Sequence, residues 1–196
     1  MSLRVMRLLL LALLSSLAGL AWAEPAANSP EFRVPVIFTG GHETDPRDKG
    51  RPVVLVAAAL NVPSEVFRKA FSNVKPAPAG QQPEPGQVDK NKEALLRVLA
   101  PYGVTNDRLD AVSNYYRYNR SRGEMWRTVP AEAFATVNNG VITGFTITNP
   151  GSGYSSPPTI SLKGRADPHA TVSLAFDADF SKNGSIKEIV VAAPGH

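Results

Sequence analysis

The spacing of hydrophobic residues changes partway along the chain, and that change decides what it can fold into. In the first part they fall at helical spacing: Val66, Phe67, Ala70 and Phe71 share one face, as do Val88, Leu95, Leu96 and Leu99. Beyond about residue 129 they alternate instead, at Phe145 and Ile147, at Val172, Leu174 and Phe176, and at Ile189 and Val191. Helical spacing followed by strand alternation predicts an α+β fold. We expect a small helical region of two αα-hairpins followed by a small antiparallel β-module of two related hairpins. The chain has no cysteine, so packing alone must hold these parts together.

The helical region is expected over residues 42–128. Pro52 can occupy the first turn ahead of the alanine-rich run Val53 to Leu60, and Asn61-Val62-Pro63 breaks it before Ser64 to Phe71. A second pair ends before Pro101 and Gly103 and resumes at Leu109 and Val112, with Thr105 or Asn106 as the cap. The two breaks look alike: residues 61–67 align with 103–109, and each sets a valine, Val62 or Val104, ahead of a polar cap, as in a hydrophobic staple. Between the pairs, residues 75–86 hold four prolines and two glycines and read as a linker. Residues 24–41 read as an N-terminal extension, with a strand-like run from Val34 to Phe38 interrupted by Pro35.

The β-module is expected over residues 129–196. Asn139-Gly140 and Asn183-Gly184 are each flanked by strand-like runs, and Asn-Gly favours the two positive φ angles of a two-residue hairpin turn. Residues 139–147 align without gaps to 183–191, and Pro150-Gly151 to Pro194-Gly195. The first copy continues into Asn149-Pro150-Gly151-Ser152-Gly153-Tyr154-Ser155-Ser156-Pro157-Pro158-Thr159-Ile160. That stretch resembles a short β-repeat, with a Gly-x-Gly-Tyr and then a Ser-x-Pro-Thr consensus, found in secreted bacterial surface proteins and phage structural proteins. The resemblance covers residues 134–196 and implies a β-module without implying chemistry. The second copy lacks the Gly-x-Gly-Tyr loop, so binding by that loop would occur once at most.

Residues 1–23 read as a cleavable signal peptide: Arg4 and Arg7, an apolar run from Leu8, then Ala21-Trp22-Ala23. The apolar core is shorter than the roughly 20 residues of a membrane span. The chain is therefore expected to be exported, to the periplasm or the extracellular space, with no transmembrane segment in its mature part. Without this 23-residue leader and its two arginines, the 196 residues and 21 basic groups become 173 and 19, set against 17 acidic groups. So weak a positive balance, together with export, argues against nucleic acid as a partner.

Two polar clusters stand out. His42, Glu43 and Asp45 fall within four residues, and such a set is able to ligate a metal or supply an oriented base. The spacing lacks the second histidine of a helical zinc site and the alternating oxygens of a calcium loop. The alternative is punctuation, with Asp45 as an N-cap before Pro46, Asp48 near the third helical position, and Arg47 and Arg51 pairing with the carboxylates. In the second cluster, Tyr115, Tyr116, Arg117, Tyr118, Arg120 and Arg122 lead to Trp126, the one tryptophan after the leader. Rings interleaved with arginines suit a ligand with flat faces and anionic groups; for an exported protein that points to an anionic polysaccharide, peptidoglycan or an envelope protein. The competing reading makes the aromatics a brace between the helices and the β-module. No Gly-x-Ser-x-Gly or other catalytic motif is present and no cofactor is called for. The expected function is thus a non-catalytic exported binding protein; the alternative is a small exported metal-dependent or hydrolytic enzyme using His42, Glu43 and Asp45.

Overall fold

The computed structural model describes residues 31–77, 81–164 and 168–191. The leader, and the Pro194-Gly195 match, lie outside the described residues. Four helices stand beside two antiparallel sheets, an α+β architecture as the hydrophobic spacing predicts. The helices are α1 (Val53–Ala59), α2 (Ser64–Phe71), α3 (Gln87–Leu99) and α4 (Asn106–Tyr115). The strands are β1 (Phe32–Thr39), β2 (Glu132–Asn138), β3 (Val141–Asn149), β4 (Thr159–Leu162), β5 (Ala170–Ala175) and β6 (Ser185–Val191).

The two helical breaks share one geometry. Asn61 and Gly103 both take left-handed φ angles, 56° and 82°. The next residue then returns its amide to the end of the preceding helix, Val62 to the Ala57 carbonyl at 2.9 Å and Val104 to the Leu99 carbonyl at 3.4 Å. This is the Schellman closure, in which a left-handed residue lets a later N–H satisfy a terminal carbonyl. Both valines are buried. Thr105 caps α4, its Oγ1 accepting from the Arg108 amide at 3.2 Å. The first break departs from the expected polar cap: Pro63 precedes α2 and no side chain caps it. One core gathers these helices, with Leu55, Leu99 and Val112 fully buried among Leu60, Phe67, Ala70 and Leu109.

The stretch expected to be an N-terminal extension contributes β1, an interior strand of the sheet ordered β3-β2-β1-β4. Residues 32–35 pair with β2 and residues 36–39 with β4. Pro35 therefore sits where the strand hands over from one partner to the other, a place that tolerates a residue with no N–H to give. Val34, Val36 and Phe38 turn inward while Arg33, Pro35, Ile37 and Thr39 are exposed, the alternation of a half-buried strand. β5 and β6 form the second sheet, with β6 against β3 and β5 against β4, around Val36, Ala135, Leu162, Ile186 and Ile189.

The two Asn-Gly pairs part company. Asn139 and Gly140, at φ 49° and 82°, make the tight two-residue turn between β2 and β3. Asn183-Gly184 does not, because β5 ends at Ala175 and β6 begins at Ser185, leaving a connection over residues 176–184. The reason is that Asn183 is fully buried and its side chain is taken by the helices. Its Nδ2 donates to the Leu55 carbonyl at 2.7 Å and to the Tyr116 hydroxyl at 2.8 Å, and its Oδ1 accepts from the Asp177 amide at 3.2 Å. Gly184 keeps a positive φ of 67°, but what demands glycine is close approach: a Cβ would stand 2.6 Å from Leu55 Cδ2 and 2.8 Å from the Tyr154 nitrogen.

Candidate functional site

After α4 the chain crosses between the helices and the sheets, and the aromatic side chains of residues 115–126 divide by burial. Tyr116 is buried, its hydroxyl accepting from Asn183, and burial pushes it up to about 12. Trp126 is buried and its Nε1 donates to the Gly153 carbonyl at 2.9 Å. Tyr115 stacks on Phe180 with ring centres 4.2 Å apart, while the Arg127 guanidinium lies over Tyr115 at 5.5 Å. Tyr118 meets Trp126 edge-to-face at 5.5 Å, and its hydroxyl donates to the Gly50 carbonyl at 2.5 Å. Most of this aromatic material braces the two halves of the fold. Tyr115 and Trp126 in particular are committed to internal packing.

The Gly-x-Gly-Tyr loop is part of the same joint. A Cβ on Gly151 would stand 2.5 Å from the Val129 carbonyl oxygen, and one on Gly153 2.6 Å from that of Arg127. The Tyr154 hydroxyl accepts from the buried Ala131 amide at 3.0 Å. The loop is thus packed against residues 127–131.

The arginines behave differently. Arg120 lies across the Lys49-Gly50 turn, its Nη1 donating to the Lys49 carbonyl at 2.5 Å. Gly50, at φ 83°, leaves room for it: a Cβ there would come within 2.5 Å of the guanidinium carbon. With Tyr118 bonded to the same turn, the segment after α4 is clamped to the segment before α1. Between them opens a cleft of about 940 Å³. Its floor is apolar and largely buried, formed by Pro52, Val56, Phe67, Phe71 and Val112. Its lining carries four cationic side chains, Lys49 and Arg51 from the segment before α1 and Arg117 and Arg120 from the segment after α4. The one carboxylate in the lining, Glu124, accepts from the Asn119 amide at 2.9 Å. Arg51 donates to the Asp48 carbonyl at 3.2 Å and lies over the Phe71 ring at 4.5 Å. Of the second sequence cluster, Tyr116, Arg117, Tyr118 and Arg120 line this cleft; Tyr115, Arg122 and Trp126 do not.

His42, Glu43 and Asp45 diverge. His42 is half-buried beside Tyr154, at 5.2 Å between ring centres, and Trp126, at 6.1 Å. Its Nδ1 is buried without a hydrogen-bond partner. Burial lowers its pKa, against the opposing charge of Glu43, so the ring is neutral at pH 7. The Glu43 carboxylate accepts from Ser156 Oγ and, at 3.1 Å, from the Gly41 amide, and the serine hydroxyl chiefly holds its pKa down. Asp45 turns away to cap the short 3-10 turn Pro46–Asp48, accepting from the Arg47 amide at 2.9 Å. It also pairs with Arg47 at 2.7 Å and with Arg68 at 3.6 Å. Hydrogen bonding from Arg47 lowers its pKa to about 2. Asp48 stands at the third position of that turn, as expected, and is buried, receiving Arg68 in two bonds, each of 2.7 Å. Among the described residues no three His, Asp or Glu side chains gather so as to hold a metal ion.

Residue spacing missed the wall made by Lys49, Arg51 and Phe71. Nothing local marks it, because Tyr118 and Arg120 reach it across 68 and 71 positions of chain. No known protein family, curated protein or solved structure matches the chain.

Proposed function

We propose that the chain is an exported, non-catalytic protein of the cell envelope or extracellular space. The cleft between the Lys49–Val56 and Ser113–Glu124 segments is where it holds an anionic ligand, either a polymer or a protein partner. The observation that carries this reading is the charge of the lining: four cationic side chains face one carboxylate over an apolar floor. Unlike charge scattered over a surface, cations converging on a concavity raise the local concentration of an anionic ligand. Arginine adds forked donors that match carboxylate, sulfate or phosphate. The leader-like start supports export, and the brace of tyrosines and tryptophan supports a rigid cleft.

The test is co-sedimentation with peptidoglycan and titration with dextran sulfate, each at low and physiological salt. Exposed charge contacts are screened over about 8 Å at physiological ionic strength, so binding should weaken as salt rises. The double variant Lys49→Gln, Arg117→Gln should lose most of that salt dependence, and Arg122→Gln, outside the cleft, should keep it. Equal binding by all three proteins would show that the cleft is not the binding site.

A further inference from the structure

The faces available in the cleft narrow the ligand further. A sugar ring or a base is held by stacking on an open aromatic face. The aromatic rings here are already engaged: Phe71 is covered by the Arg51 guanidinium, Tyr118 is set edge-to-face with Trp126, and Tyr116 is buried. What remains open on the floor is aliphatic in character, at the half-buried Val56, while Pro52 and Val112 are buried. Four cations from two chain segments line the cleft, so a ligand with a single anionic head, such as a fatty acid, would leave some of them unused. Ser113 and Asn114 line the same wall and offer hydroxyl and carboxamide groups to a main chain.

We infer that the cleft takes an acidic segment of a partner protein, in which carboxylates engage Lys49, Arg51, Arg117 and Arg120 while interspersed aliphatic side chains fill the floor. This rests on the anionic-ligand reading above and names its partner class. Apolar contact supplies discrimination that charge alone does not, because removing each buried methylene weakens binding severalfold.

Fluorescence anisotropy on the full chain tests it with labelled peptides. The reference peptide alternates glutamate and leucine, a second replaces every leucine by serine at the same charge, and a third replaces every glutamate by glutamine. Alginate oligosaccharide serves as the competitor. We expect the reference peptide to bind, and the serine and glutamine peptides each to bind at least about tenfold more weakly. Alginate should displace the reference peptide only at higher site concentration than the peptide itself requires. The Lys49→Gln, Arg117→Gln protein should lose about tenfold for the reference peptide. If the serine peptide or alginate binds as tightly as the reference, the cleft reads charge alone and the peptide inference falls while the anionic-ligand reading stands. If dextran sulfate and all the peptides fail to bind, both fall.

Discussion

Replacing Asn183 with alanine removes two hydrogen bonds across the seam between the helices and the β-module and a third within the 176–184 connection. Two of the stranded groups, the Leu55 carbonyl and the Tyr116 hydroxyl, lie in residues that are almost wholly buried. The third is the amide of the exposed Asp177, whose loss costs about the net value of an ordinary hydrogen bond, roughly 1 kcal/mol. A buried polar group that loses its partner costs about 1–3 kcal/mol, well above the net value of an ordinary hydrogen bond. The Leu55 carbonyl keeps its place in α1 and the tyrosine retains its own proton, so we take the lower end for each and expect a total of about 3 kcal/mol. For a domain of this size that corresponds to a melting shift of about 6–12 °C. The comparison is Asn139→Ala at the other Asn-Gly pair, where the side chain is not in the core and the cost is one left-handed φ on alanine, about 1 kcal/mol. Urea unfolding of the two variants measures the difference at fixed slope. Equal costs, or less than about 1 kcal/mol for Asn183→Ala, would refute the claim that this asparagine joins the two halves.

Gly50→Ala places a Cβ against the Arg120 guanidinium in a left-handed residue, so it should destabilise by about 1–2 kcal/mol and weaken dextran sulfate binding together. Titration calorimetry beside thermal melting reads both. Burial holds the His42 pKa below its ordinary 6.5, so the unfolded chain takes up a proton first as pH falls. Stability should therefore decline below pH 6.5 until the folded-state value is passed, and His42→Phe should flatten that slope in urea midpoints at pH 7 and 5. Asp45 and Glu43 act at lower pH: their depressed values favour the folded state above the ordinary carboxylate range, and that contribution disappears as pH falls through the folded values, about 2 for Asp45. Acid titration of Asp45→Asn against wild type should show a smaller loss in the variant. Chelator should leave the melting temperature unchanged, and a large drop would reinstate a metal at His42 and Glu43.

Helical spacing and caps made the four helices legible, because each face that must be buried repeats within a few residues. Ser64–Phe71 and the Thr105 cap could be read directly. The matched breaks at Asn61 and Gly103 were legible for the same reason, since a left-handed residue followed by valine is a local device. Asn183-Gly184 misled because the same dipeptide serves either a turn or a buried carboxamide, and only the positions of Leu55 and Tyr116, 128 and 67 residues away, decide which. Pro35 hid the membership of β1 in the sheet, since a strand that changes partners midway tolerates a proline that a continuous ladder would reject. In the candidate site, Arg117, Tyr118 and Arg120 were visible as part of an aromatic and arginine run. Trp126 and Tyr115 looked the same in sequence yet are consumed by packing, because rings near the joint gain more from burial than from exposure.

Everything proposed for the cleft requires that it receives the charge of the ligand. Two-dimensional amide spectra of the isotope-labelled protein, recorded during titration with dextran sulfate, test it most directly. Shifts should concentrate at residues 49–52 and 113–121, be reversed by salt and be absent in the Lys49→Gln, Arg117→Gln variant. Shifts confined to the exposed face of the sheets, or none while binding is still measured, would contradict it.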